Sequence, residues 1–349
     1  MSETSVALPR TMRASVLRGI RDVAVEERPV PGPGPDEVLV EVTAVGVCGS
    51  DVHYYEHGRI GEFVVRSPLV LGHEAGGRIV AAGSDVPAER IGQRVSVEPG
   101  VPCRRCECCR SGRYNLCPEV RFFATPPVDG AFCEYVAVPA DFAHPVPDAL
   151  SDDAAALLEP LSVAVWAGRK AGVGVGSHVL VAGAGPVGLL VTQVARALGA
   201  AEVVVSDVDA GRRGLAAELG ASAVLDPAAG DPVEQGVEVD AFIDCSGAPA
   251  AVRAGFRAVR RAGAVVLVGM GADELPVPVS LVQNRELEVT GTFRYANTWP
   301  AAIVLAGSGA VRLDRLVTGH VDLEHAEDAL APDPRQRHVK LVVQPRAAA

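Results

Sequence analysis

The sequence predicts an α/β protein in two parts: a β-rich region and a doubly wound parallel sheet. Three observations carry this. From Ala14 to about Leu157 the chain reads as short apolar runs closed by glycine and proline. From about Ser162 the period changes, and apolar runs alternate with stretches of helical spacing. The first of those runs ends in GAGPVG, a glycine-rich turn that opens a helix. Apolar strands alternating with amphipathic helices mean a parallel sheet covered on both faces. At 349 residues, 48% hydrophobic and 21% charged, the chain is long and apolar enough for two domains with cores of their own.

The elements follow in order. PVPGPGPDE is a proline-rich turn region, and VLVEVTAVGVC (38–48) largely alternates apolar and polar residues, as a half-buried strand does. GRIVAAGSDV and GQRVSVEP read as strands. In the second part HVLVAGAGPVG is a strand and turn, and LLVTQVARALGA a helix. EVVVSD, AVLD and VDAFIDCSG read as strands, with AGRRGLAAELGA a helix among them. PAAVRAGFRAVRRAG reads as a helix up to Gly263, followed by the strands AVVLVGMG and LEVTGTF. After about Phe293 short mixed elements return, ending near HVKLVVQP.

A net charge of −11 speaks against nucleic acid or an anionic membrane as the main partner, since both need a basic surface. The N-terminal MSETSVALPRTMRASVL has no apolar core of a leader, and HVLVAGAGPVGLLVTQVA is broken by glycine, proline and glutamine. A cytoplasmic protein is expected, where eight cysteines point to metal ligands or nucleophiles more than to disulfides.

GAGPVG sets Gly183, Gly185 and Gly188 in G-x-G-x-x-G spacing, after a strand and before a helix. Gly183 allows the tight turn, Gly185 lets a pyrophosphate approach the backbone, and Gly188 lets helix and strand pack closely. The helix N-terminus favours the phosphate charge. Asp207 ends the next strand, 19 residues beyond Gly188, placed to accept hydrogen bonds from the adenosine ribose and to repel a 2′-phosphate. NAD is therefore expected over NADP. Arg212 lies near enough to serve a 2′-phosphate instead.

CRRCECCRSGRYNLC spaces Cys103, Cys106, Cys109 and Cys117 as C-x2-C-x2-C-x7-C, with Cys108 an extra thiol inside the cluster. Four thiolates on a short loop suit a tetrahedral structural zinc; an iron–sulfur site or a loop of free thiols is the alternative. Cys133 and Cys245 read as small buried residues. Elsewhere VLGHEAGG places His73 and Glu74 side by side among glycines, 25 residues after Cys48. A thiol, an imidazole and a carboxylate suit a zinc with an open position. Neighbouring residues reach one atom only if the backbone turns sharply between glycines. A surface turn carrying two polar residues is the plainer reading of His73–Glu74, and a glutamate capping the start of a helix that of Glu159.

CGSDVHYYEHGRIGEF, LGHEAGGRIVAAG, FFATPPVDGAF, EPLSVAV, GAGPVG and FRYANTWP together resemble the zinc-dependent medium-chain dehydrogenases, and within them the sorbitol (polyol, L-iditol) branch. The resemblance runs in order from about Met12 to Val343. GHEAGG and GAGPVG are shared widely across that superfamily; YYEHGRIGEF and FRYANTWP are much more specific to the polyol branch. It implies a GroES-like catalytic domain from residues 1–157 and 293–349, with a structural zinc lobe at about 100–120. A Rossmann NAD domain is implied at 158–292, with the active site in the cleft between them.

It further implies that Cys48, His73 and Glu74 hold a catalytic zinc and that Glu159 serves its open position. Cys103, Cys106, Cys109 and Cys117 match the structural lobe, and Cys108 leaves open which of two neighbouring thiols binds. Tyr54, Arg294 and Tyr295 line the polyol site. Val268, Gly269 and Met270, with Thr292, Phe293 and Arg294, flank the nicotinamide, and Val187 packs near the pyrophosphate. Ser50 and His53 stand two and five residues after Cys48, the spacing of a hydroxyl–imidazole proton relay; a surface histidine is the alternative for His53, and His57 reads as solvated loop. The implied reaction is hydride transfer from a polyol secondary alcohol to NAD, in a homotetramer, with an exposed strand near AVVLVGMGADELPVPVS as the interface. An aminocyclitol, threonine or butanediol substrate is the alternative. A non-catalytic dinucleotide-binding protein on the same fold is disfavoured by the retained metal residues.

Overall fold

The computed structural model describes residues 8–272, 274–331 and 338–346. The chain divides into two compact units. Of the described residues, the first holds those in 8–103, 118–159 and 317–346; the second holds those in 104–117 and 160–316. The division falls at Glu159–Pro160, inside the helix Asp152–Lys170.

In the first unit the described residues build a mixed sheet. Its order is Ala143–Pro145, Arg94–Val97, Glu74–Ala82, Glu37–Gly46, Lys340–Val343 and Val317–Val321, with Tyr135–Pro139 also paired to Glu37–Gly46. The hairpin Thr11–Gly19/Asp22–Pro29 forms a second sheet with Leu69–Val70. Strand alternation delivers Val38, Val40 and Val42 to the core with Ile79, Val95, Val97 and Phe132. The C-terminal strand is set antiparallel beside Glu37–Gly46, with Val342 opposite Gly46, and Gly46 lies opposite Glu74 on the next strand. That row of three strands places the residues of the candidate site.

The second unit carries a six-stranded parallel sheet. Its order is Ala223–Leu225, Glu202–Ser206, His178–Ala182, Val239–Asp244, Val259–Leu267, Glu288–Gly291. Numbered along the chain this is 3-2-1-4-5-6, the doubly wound nucleotide-binding order, in which ligands sit at the carboxyl ends of the central strands. The helices Pro186–Ala197, Ala210–Glu218 and Pro249–Ala258 return the chain between strands. Gly255 faces the Phe242 ring so closely that a Cβ there would overlap it.

Three expectations need correction. The helix from Pro249 stops at Ala258, and the stretch through Gly263 already belongs to the strand Val259–Leu267. Val259 pairs with Val239 and pairing resumes at Ala264 with Ala241; the residues between bulge from the ladder, with Ala262 left-handed at φ 56°, so the helix cannot continue through them despite their helical spacing. The stretch AVVLVGMGADELPVPVS does carry apolar exposure, at Met270, Val277 and Val279, but not on a strand: the strand ends at Leu267 with Val265 and Val266 fully buried, and Asp273 is outside the described residues. His57 is not in a loop; it is the exposed last residue of the helix Gly49–His57. Among the described residues no helix is long and apolar enough to cross a membrane.

Candidate active site

Cys48, His73 and Glu74 converge, with one ligand atom from each lying within 4.8 Å of the others. Cys48 follows the strand Glu37–Gly46 and caps the helix Gly49–His57. Gly72 takes a left-handed φ of 86°, and a Cβ there would overlap the Phe132 ring. The glycine therefore makes the sharp turn that lets His73 and Glu74 reach one point, Glu74 being the first residue of its strand.

Two buried charged residues hold these side chains in place. Asp51 is fully buried. It accepts from the Cys48 backbone N–H at 2.9 Å and the Gly72 N–H at 3.0 Å, and its Oδ1 lies 3.6 Å from His73 Nδ1. Burial by itself raises the Asp51 pKa; the His73 imidazole and the two backbone N–H groups bring it below the ordinary carboxylate range. Burial opposes charge on His73, yet Asp51 and Cys48 hold its pKa well above the usual value.

Lys340 is 3% exposed and donates from Nζ to Glu74 Oε1 at 2.6 Å and to the Val47 carbonyl at 2.9 Å. Burial works against its charge, and Glu74, Cys48 and Glu159 outweigh that and raise its pKa. Glu74 Oε2 is buried without a hydrogen-bond partner. A Cβ at Gly46 would overlap that oxygen, so glycine leaves it room. An orphaned buried carboxylate oxygen beside a thiol and an imidazole is a donor set that fits a zinc ion.

Glu159 is 4% exposed and lies mid-helix in Asp152–Lys170, not at a helix start as its capping reading has it. It stands outside the close group of three. Ser50 is half-buried on the helix that Cys48 caps. His53 is exposed, with Nδ1 2.9 Å from the Arg59 carbonyl oxygen. That oxygen only accepts, so Nδ1 carries the proton and Nε2 is left as a base. Tyr54 is buried on the same helix.

The second cluster is Cys103, Cys106, Cys109 and Cys117, whose sulfurs lie within 4.8 Å of one another. Cys108 is not among them; it sits in the short helix Glu107–Arg110. A compact four-sulfur shell suits a closed structural zinc. Cys133 is buried, and burial pushes its thiol up to about 12. Cys245 was expected to be buried and is only partly so, just after the strand Val239–Asp244.

In the parallel-sheet unit Gly183 has φ 93°, and a Cβ at Gly188 would overlap the Gly183 carbonyl oxygen. Gly185 caps the helix Pro186–Ala197 and faces open space, so the first-turn N–H groups beside Pro186 and Val187 are accessible to an anion. Asp207 accepts from the N–H groups of Ala184 at 2.7 Å and Asp209 at 2.8 Å, one on each oxygen, which aims its carboxylate at the turn. Arg212 is exposed at the start of the next helix.

Asp244, which sequence reasoning did not single out, is buried. It accepts from Ser246 Oγ at 2.7 Å and from the Ser246 and Gly247 N–H groups at 3.1 Å. Its carbonyl accepts from Val268 at 2.8 Å and Gly269 at 2.9 Å, which ties the two loops together ahead of Met270. Thr292 N–H donates to the Leu267 carbonyl at 2.9 Å, and Phe293 is exposed under the Arg294 guanidinium, 4.7 Å from its ring centre. Tyr295 is buried edge-on against Trp299. Asp51, Asp244 and Lys340 were the omissions. CGSD, an acid three residues after a capping position, could have pointed to Asp51; nothing local marks Lys340.

Comparison with known proteins matches residues 34–148 to the alcohol dehydrogenase GroES-like domain and 186–308 to the zinc-binding dehydrogenase family. Sorbitol dehydrogenase of Bacillus subtilis (strain 168) is 43% identical over 330 residues, covering 93% of this chain and 94% of that protein. The sorbitol dehydrogenase of Homo sapiens is 45% identical over 322 residues, 90% of each chain. A structure described as a zinc-binding dehydrogenase from Sinorhizobium meliloti 1021, bound to NADP, superposes with a TM-score of 0.90 at 34% identity. It covers 96% of this chain and 99% of that one.

Proposed function

The chain belongs to the zinc-binding, GroES-like alcohol dehydrogenase family, and we propose that it oxidises a polyol secondary alcohol to a ketose, of the sorbitol-to-fructose type, with NAD. The observation that carries the chemistry is the close group of Cys48, His73 and Glu74, the last two buried, with one carboxylate oxygen left unpaired. Nearly full-length similarity to sorbitol dehydrogenases supports the substrate class.

A zinc ion on these three residues supplies a Lewis acid for the substrate hydroxyl, and NAD supplies the hydride acceptor. The protein's own part is orientation and proton movement. Asp51 holds the His73 ring and Lys340 holds the Glu74 carboxylate. Tyr54, Arg294 and Tyr295 hold the polyol hydroxyls, with Glu159 beside the reacting oxygen. The proton leaves through the Ser50 hydroxyl to Nε2 of His53. The open N-terminus at Gly185 takes the pyrophosphate. Val187 packs beside it. Asp207 takes the adenosine ribose and favours NAD over NADP, and the residues from Val268 to Met270 border the nicotinamide. We read the four-cysteine cluster as a structural zinc site, residues 158–292 as the NAD domain and the rest as the catalytic domain. We read the assembly as a cytoplasmic homotetramer, which sedimentation of the zinc-loaded protein checks: a monomer or dimer overturns it.

The test is NADH appearance when zinc-loaded protein meets NAD with D-sorbitol, xylitol or L-iditol. Reduction is expected, and its loss on chelation. No reduction, with zinc and NAD binding intact, moves the substrate to an aminocyclitol, threonine or butanediol. A lower KM for NADP than for NAD overturns the cofactor preference.

A further inference from the structure

The segment Thr292–Thr298 joins the last strand of the parallel sheet to the helix Trp299–Gly307. It carries two non-glycine residues in the left-handed region, Arg294 at φ 53° and Asn297 at φ 55°. Such a backbone persists only where its surroundings over-determine it. Here the surroundings come from the cysteine lobe, some 180 residues earlier in the chain.

The Asn115 side chain is 5% exposed and donates from Nδ2 to the Phe293 carbonyl at 2.7 Å. The Asn297 N–H donates to the Tyr114 hydroxyl at 3.0 Å, and Asn297 Nδ2 donates to the Gly112 carbonyl at 2.8 Å. Arg169 Nη1 donates to the Asn297 carbonyl at 2.8 Å. Three polar groups of Asn297 are thus engaged, and asparagine is among the residues that best tolerate its left-handed φ. Gly112, Tyr114 and Asn115 all lie between Cys109 and Cys117, the third and fourth cysteines of the cluster. The same contacts group residues 104–117 with the second unit, not with the strands on either side of them in sequence.

We propose that the four-cysteine lobe is a positioning device for the substrate: through Tyr114 and Asn115 it fixes the strained segment that presents Arg294 and Tyr295 to the polyol. This rests on reading those two residues as substrate-binding. A cluster that only stabilised the fold would not need its hydrogen bonds aimed at this segment, with one donor on the peptide immediately before Arg294. Asn115 and Tyr114 act through the segment and are positioning residues.

The experiment uses the full-length, zinc-loaded chain with Asn115→Ala and Tyr114→Phe. Steady-state kinetics are measured for D-sorbitol and NAD, zinc is counted, and the rate of tryptic nicking after Arg294 is followed by mass spectrometry. In Asn115→Ala, kcat/KM for sorbitol should fall by about tenfold to a hundredfold, the range a small misplacement remote from the chemistry produces. KM for NAD and the zinc count should stay unchanged, and nicking after Arg294 should quicken. Tyr114→Phe should show the same pattern more weakly. Unchanged sorbitol kinetics and nicking in a folded Asn115→Ala protein overturn the proposal. So does a parallel loss of sorbitol binding, NAD binding and zinc, which marks a general structural role. Should Asn115→Ala not fold, Tyr114→Phe, which removes a single hydroxyl, decides by the same criteria. Nicking is read without substrate. A wild-type protein that fails to oxidise sorbitol therefore removes the polyol reading while the nicking rates still decide whether the lobe holds the segment.

Discussion

At the scale of single residues, the site is made by what each ligand's neighbour forbids. Glu74 Oε2 occupies the space that a Cβ at residue 46 would fill, open only because glycine stands there, and Lys340 takes its other oxygen. His73 is held by Asp51, a carboxylate buried so deeply that it is stable only with its N–H and imidazole partners. The exposed His53 stands apart from this packed group, and its tautomer is set by one carbonyl, that of Arg59. If Nε2 receives the proton, His53→Gln should slow oxidation and alter the pH–rate profile while leaving the melting temperature alone. An unchanged profile and turnover would leave His53 a surface histidine.

Elements bring together what the sequence keeps apart. Lys340 opens the strand Lys340–Val343, which pairs with Glu37–Gly46, which pairs with Glu74–Ala82. The register Val342–Gly46–Glu74 puts the lysine, two residues before Val342, on the same face as the carboxylate. Side chains two apart on a strand share a face, so a one-residue slip would remove the ammonium from the site. Truncating one partner of a buried ion pair leaves the other charge uncompensated, at a cost of about 3–5 kcal/mol. In the metal-free protein, where nothing else offsets the Glu74 charge, Lys340→Met should therefore lower unfolding free energy by roughly that amount in chemical denaturation. Lys340→Arg should lose much less. A Met variant as stable as the parent would mean that the pair contributes little.

For the molecule as a whole, the lobe of cysteines matters beyond its own loop. Cys103, Cys106, Cys109 and Cys117 close a short excursion with little regular structure, the four-residue helix Glu107–Arg110 and one turn at Tyr114–Leu116. Such a loop has few apolar residues to bury, and metal coordination supplies folding free energy where a core does not. Cys103→Ser should reduce bound zinc by one ion per chain and lower the melting temperature by about 5 °C or more. An unchanged zinc count and melting temperature would refute a structural metal at this loop.

The fold class was legible in the sequence because it is written in local periodicity: alternation before residue 157, strands and helical spacing after it, and a glycine turn between the first strand and helix of that second part. The close grouping of Cys48, His73 and Glu74 was legible because such a donor set is uncommon and its turn needs glycine, as at Gly72. Local pattern failed where strand pairing and a bulge took over residues of helical spacing, as they did from Val259 to Gly263. It failed also where a residue's role depends on register across strands. Lys340 looks like any lysine in a β run, and only pairing with two other strands makes it the counter-charge of Glu74. Asn115 looks like a polar residue in a cysteine loop, and only the tertiary structure sets it on the Phe293 carbonyl. The sequence by itself determined which atoms could do the chemistry, since identity and spacing are properties of the chain. The tertiary structure decided which groups orient them, because hydrogen bonds and ion pairs between distant segments exist only once the strands have found their register.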